Sequence, residues 1–247
     1  MKILKNDMEQ KKYELSDKKI AKENEAVNLK NKKLISEDIK KEKQTILEKT
    51  KNQEKIYQSQ LTELEKKQLE ISSEIEKIEE ELRLKIDPSL LPASRPGVLG
   101  KPTSGTPLTQ EYGATSFALN GGYKGKWHNG IDYGGSIGTP VYAAESGKVT
   151  AVDNQDKYCY RGAYGKYIVI EHENNLTTLY AHLSLQTVKK GDIVKRGDLI
   201  GYIGKTGYAT GPHLHFTVYS SATFIFKQSK SCGIMPFGGD LNPLQYL

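Results

Sequence analysis

The chain has 247 residues, with 36 basic and 30 acidic side chains and a formal net charge of +6. That length allows one sizeable domain with an appendage, or two small domains. No apolar run of about 20 residues is present to span a bilayer, and two cysteines are too few for a disulfide framework.

Residues 1–10 lack the apolar segment of a signal peptide. The chain is therefore read either as cytosolic or as beginning downstream of an export signal. From about residue 6 to 86, Lys and Glu dominate, and no glycine or proline occurs before Pro88. Bases and acids nearly cancel there, which argues against nucleic-acid binding. Tyr57, Leu61, Leu64, Gln68, Ile71, Ile75, Ile78 and Leu82 advance by alternating steps of four and three, the seam of a coiled coil. Tyr13, Ile20, Val27 and Leu34 recur every seven residues upstream, and the seam fades around 40–45. Residues 1–87 are thus predicted as a long α-helical coiled coil, or a helical hairpin bent near 40–45. A lone charged helix buries little, so self-association or a protein partner is its expected role.

Asp87-Pro88 ends the helix, and Pro92 and Pro96 keep the chain extended, so 88–100 reads as a linker. Every glycine lies beyond Pro96. From 101 to 247, short β-branched and aromatic runs predict strands at 140–144, 147–153, 166–172, 177–183, 199–203 and 213–219. The predicted fold class is α + β in separate parts, helical first and then mainly antiparallel β. Cys159 and Cys232 fall in segments expected as loops, either bridged or free, and neither has zinc-ligand spacing.

Four of the five histidines fall in three motifs. His128-Asn129-Gly130-Ile131-Asp132 places a His and an Asp around a glycine that lets the backbone turn tightly. His182 follows the alternating run 177–181. His213 and His215 flank Leu214, and in a strand side chains at i and i+2 share one face, so both imidazoles enter one cleft. A zinc hydrolase needs three protein ligands, an open position for water and nearby groups that move protons. This set supplies three ligands and two histidines besides. His172 has no motif partner and is read as structural or as an outer wall of the cleft.

These motifs resemble those of the lysostaphin-type, or LytM-like, peptidoglycan endopeptidases. So do Leu179-Tyr180-Ala181-His182-Leu183-Ser184, Thr210-Gly211-Pro212-His213-Leu214-His215-Phe216, 138–144, 190–194, 197–201 and Asn242-Pro243-Leu244. The resemblance covers roughly residues 98–247. It implies a catalytic domain of lysostaphin type and one Zn²⁺ per chain, held by His128, Asp132 and His215. His182 and His213 are implied as the catalytic pair, with His213 as general base and His182 bonding the water or the developing oxyanion. Tyr180, two residues before His182, is expected to line the substrate groove. The implied activity is cleavage of peptide bonds in bacterial peptidoglycan, stem or cross-bridge, for wall remodelling or division. Such a substrate implies an extracytoplasmic location.

The competing reading is a non-catalytic wall-binding regulator or activator of other hydrolases acting through the coiled coil. Occupation of every ligand and catalytic position argues against it. A lipoyl-like half-barrel fits the glycine spacing at 191–201 and leaves the histidines unexplained. The helical part, standing before the catalytic domain, is also expected to dock over the cleft or bring a partner to it. The segment 220–239 departs from the compact form of the family and is expected to shape one groove wall.

Overall fold

The computed structural model describes residues 2–50, 54–122 and 126–247, which form two compact units, Met1–Lys51 and Asn52–Leu247. The first unit is one helix, α1 (Lys2–Thr50). Its Lys- and Glu-rich composition favours helix at every turn, with pairs such as Lys19–Glu23 at 4.0 Å along its surface. The seam positions Tyr13, Ile20 and Tyr57 lie outside the described side chains. Among the described residues no helix is long and apolar enough to cross a membrane.

The second unit opens with α2 (Glu54–Arg83). Pro88 cannot continue a helix, and Asp87 instead caps a short turn by accepting from Ser89 N at 2.9 Å. The following strands are β1 (Leu108–Gln110), β2 (Ile131–Gly134), β3 (Pro140–Tyr142), β4 (Gly147–Asn154), β5 (Lys166–His172), β6 (Leu176–Ala181) and β7 (Leu183–Gln186). They continue with β8 (Ile193–Val194), β9 (Leu199–Ile203), β10 (His213–Ser220), β11 (Ile225–Ser229), β12 (Gly233–Phe237) and β13 (Asp240–Leu241). The main sheet runs β1-β2-β10-β6-β5-β4-β8, with β13 also on β10; β3-β9-β7 form a second sheet and β11-β12 a hairpin. These pairings are antiparallel, as the sequence predicts.

Alternation along β10 divides the unit. Leu214, Phe216 and Val218 enter the core between the main and second sheets, beside Ile131, Ile168 and Ile203. The opposite face carries His213, His215, Thr217 and Tyr219. Part of that face, around Tyr219, Leu179 and Ala181, is covered by α2. The seam predicted for a partner helix here packs on a β-sheet: Ile71 and Leu82 are buried, and Ile75 and Ile78 partly so. A fully buried aliphatic side chain contributes about 1.5–3 kcal/mol, so the docked helix gains several kcal/mol from burial alone. Arg83 adds a 2.6 Å pair with the buried Asp240 and a 2.7 Å pair with Glu76.

Segment 88–100, which opens with the short turn Pro88–Leu90, is part of this unit, with Leu99 buried in the core and its N–H bonded to Tyr246 O at 2.8 Å. The insert 220–239 is the β11–β12 hairpin. It was expected to line the groove, but its Met235 and Phe237 are buried in the cluster under α2. Its apolar face is satisfied there. Cys159 and Cys232, left open by the sequence, form a disulfide that ties this hairpin to the segment before β5.

Candidate metal centre

Strand register brings the three motifs together. In the β2–β10 pair, His215 stands opposite Asp132 and His213 opposite Gly134; on the other side of β10, His215 stands opposite Ala181. His128 enters just before β2, bridged to Gly113. Gly130 serves by its lack of a side chain: a Cβ there would fall 2.5 Å from Phe216 O and 2.9 Å from the His215 ring. Close approach, not a turn, requires this glycine.

The run 177–183, predicted as one strand, is two. His182 sits between β6 and β7 at φ +59°, where the chain passes from the main sheet to the second. That left-handed residue breaks the alternation and turns the imidazole toward the site. Tyr180 does not line the groove, contrary to expectation. It is fully buried in the core, its hydroxyl accepting from Ala144 N at 2.8 Å and Thr178 Oγ1 at 3.0 Å. His172 is structural: it is buried, and its two ring nitrogens bond Ser146 O at 3.0 Å and Thr178 Oγ1 at 2.8 Å.

His128, Asp132 and His215 are buried and offer ligand atoms within 4.8 Å of one another. His128 Nε2 lies 3.0 Å from His215 Nδ1 and 3.2 Å from Asp132 Oδ1, and His215 Nδ1 lies 3.0 Å from the same oxygen. A carbonyl can only accept, so the 2.7 Å contact of His128 Nδ1 with Glu111 O fixes its proton on Nδ1. Thr217 Oγ1 lies 2.8 Å from His215 Nε2, and its hydroxyl can accept the proton of that ring. With the His215 proton on Nε2, three ligand atoms, His128 Nε2, Asp132 Oδ1 and His215 Nδ1, converge, and two nitrogens with one carboxylate oxygen are a donor set that suits a divalent cation.

The remaining pair is pinned in the same way. His182 Nδ1 donates to Thr206 O at 2.8 Å and His213 Nδ1 to Gly211 O at 2.9 Å, so neither carbonyl engages an Nε2 atom. Their rings are 4.6 Å apart. Burial, with His213 and His215 nearby, holds His182 well below the usual histidine range. Burial likewise lowers His215. Burial alone would raise Asp132, but the neighbouring His128 and His215 hold it well below the carboxylate range. Burial opposes protonation of His128, and Asp132 beside it outweighs that and raises it.

An open groove of about 760 Å³ adjoins Asp132 and His213, lined by Gln110, Thr115, Phe117, Tyr208 and Thr210. On the other side a cavity of about 70 Å³ separates His128, His182 and His215 from Ile71, Ile75 and Glu79 of α2. Sequence reasoning missed the groups behind the triad: Glu79, Asn129, Tyr164 and Tyr219. Tyr219 was within reach, four residues after His215 on the same strand face; Glu79, inside a charged helix, carried no local signal.

The model of peptidase family M23 matches residues 126–226. Over 91 residues the chain is 50% identical to peptidoglycan DD-endopeptidase ShyB of Vibrio cholerae, covering 37% of this chain and 20% of that protein. The solved catalytic domain of lysostaphin from Staphylococcus simulans is 32% identical; the match covers 56% of this chain and 90% of that one, with a TM-score of 0.43. A solved zinc-containing peptidase from Vibrio cholerae is 38% identical over 49% of this chain and 36% of its own, with a TM-score of 0.42. The chain spans about a fifth of the length of the curated relatives it matches. The five motif residues His128, Asp132, His182, His213 and His215 lie within the family match, and α2 lies outside it.

Proposed function

Residues 126–226 match peptidase family M23, and from that premise we propose that the chain is a zinc-dependent endopeptidase hydrolysing peptide bonds in bacterial peptidoglycan. The observation that carries this is the convergence of the buried His128 Nε2, Asp132 Oδ1 and His215 Nδ1 beside His182 and His213, whose Nδ1 atoms donate to backbone carbonyls. Bound zinc supplies a Lewis acid and lowers the pKa of a coordinated water toward neutrality. With both Nδ1 protons committed to carbonyls, His182 and His213 present acceptors, and an attacking water can donate one hydrogen to each Nε2. His182, buried and hard to protonate, orients that water. His213 is less enclosed and has Asp132 Oδ1 3.7 Å from its Nε2; it takes the proton and returns it to the leaving amine. The groove of about 760 Å³ provides room for a peptide strand.

An extracytoplasmic location belongs to the same reading, since peptidoglycan lies outside the cytoplasmic membrane and the Cys159–Cys232 disulfide suits an oxidising compartment. Metal analysis of the purified chain, together with mass spectrometry of peptidoglycan digests, tests the proposal. Bound zinc and released peptide fragments are expected. No zinc and no fragments would leave the non-catalytic wall-binding reading in its place.

A further inference from the structure

Behind the three ligands lies a closed polar network that involves the helix outside the family match. Asn129 directly follows His128, and its Nδ2 donates to Glu79 Oε2 at 2.8 Å and to Tyr164 Oη at 2.9 Å. Tyr219, on the β10 face that carries His215, donates its hydroxyl to Glu79 Oε1 at 3.0 Å. Tyr164 Oη lies 3.3 Å from Tyr219 Oη, and its backbone carbonyl accepts the N–H of His182 at 2.9 Å. The network thus touches the segments bearing His128, His215 and His182, and Glu79 closes it. Glu79 is fully buried, whereas Glu80 and Glu81 are exposed. A surface-solubilising role accounts for those neighbours and not for Glu79.

We propose that Glu79 is a positioning residue for the metal centre, its carboxyl holding Asn129 and Tyr219 so that His128 and His215 keep their spacing. This rests on the metal-site reading above. The ligand nitrogens are 3.0 Å apart, so a small shift of the 128–129 backbone alters the donor set. Without Glu79, Asn129 and Tyr219 lose their buried acceptor, and such groups move to find another. Asn129 adjoins a ligand in sequence, so its movement reaches the metal. Groups that orient metal ligands typically change affinity by 10- to 100-fold, and one step further out we expect about tenfold.

The test is zinc affinity by chelator competition on the full chain, paired with the visible spectrum of the cobalt-substituted protein. Glu79→Ala should weaken zinc binding about tenfold and alter the cobalt bands. Glu79→Gln, which keeps the shape and one acceptor, should restore both to within about twofold of wild type. Leu82→Ala, a cavity elsewhere under the same helix, should lower the unfolding midpoint while leaving affinity and spectrum unchanged. If Glu79→Ala does not fold, Glu79→Asp, with its carboxylate withdrawn by one methylene, takes its place. Unchanged affinity in the Glu79 variant overturns the proposal, as does an equal loss in Leu82→Ala. A wild-type chain that binds no zinc overturns the metal reading and this proposal together.

Discussion

Replacing Glu79 by glutamine should stabilise the Asn52–Leu247 unit, and by an amount that depends on pH. Burial, with Asp240 nearby, pushes the Glu79 carboxyl well above its usual range; the bonds from Asn129 and Tyr219 only partly offset this. A carboxyl whose folded value is raised binds its proton more tightly folded than unfolded. Its stability contribution is complete below the unfolded value and is lost as pH rises toward the folded one. The loss accumulates at about 1.4 kcal/mol per pH unit, so from an ordinary value near 4.3 to pH 7 it reaches at most about 3.7 kcal/mol. Glutamine carries no such penalty. Its amide offers an acceptor to Asn129 and a donor to the Tyr219 hydroxyl, which can accept. The advantage of Glu79→Gln should therefore be near zero at pH 4 and grow by up to about 2.7 kcal/mol between pH 5 and pH 7. Urea unfolding of the disulfide-intact, metal-free chain measures it. The fluorescence of Trp127, the one tryptophan, follows the transition because its ring lies 4.9 Å from Arg83 and bonds Asp240. An equal difference at pH 5 and pH 7, or a less stable variant at pH 7, would refute the reasoning.

Asp132→Ala should abolish stoichiometric zinc in metal analysis, whereas His213→Ala should keep the metal and lower kcat by about 10²- to 10⁴-fold, the usual range for a lost proton-transfer group. Replacing both Cys159 and Cys232 by serine opens a cross-link of sequence separation 73. It should lower stability by about 2–4 kcal/mol in urea unfolding while leaving zinc affinity intact. Tyr180→Phe removes an acceptor from Ala144 N and Thr178. It should cost about 1–3 kcal/mol with kcat and KM unchanged; a large rise in KM would return Tyr180 to the groove.

Much of the centre was readable from local pattern. His213 and His215 share a face because strand side chains repeat every two residues, and that holds whatever the strand pairs with. The same period placed Tyr180 beside His182 and misled, because one left-handed residue at His182 ends the alternation. Gly130 stood out in the sequence, but its reason, the approach of Phe216 O, depends on a strand about 86 positions away. The seam of α2 showed that one helix face is buried, and period alone could not say against what.

The sequence by itself determined the order of helical and β parts and the three short motifs that carry His128, Asp132, His182, His213 and His215. These follow from periodicity and from residue types at short spacing. Only the tertiary structure decided where α2 docks, which backbone carbonyls hold the Nδ1 atoms of His128, His182 and His213, that the two cysteines are bridged, and that Glu79 stands behind the triad. Each of those depends on a backbone carbonyl, a sheet face or a side chain brought in from far along the chain. Such partners are chosen by strand register and packing, which leave no mark at the position they act on.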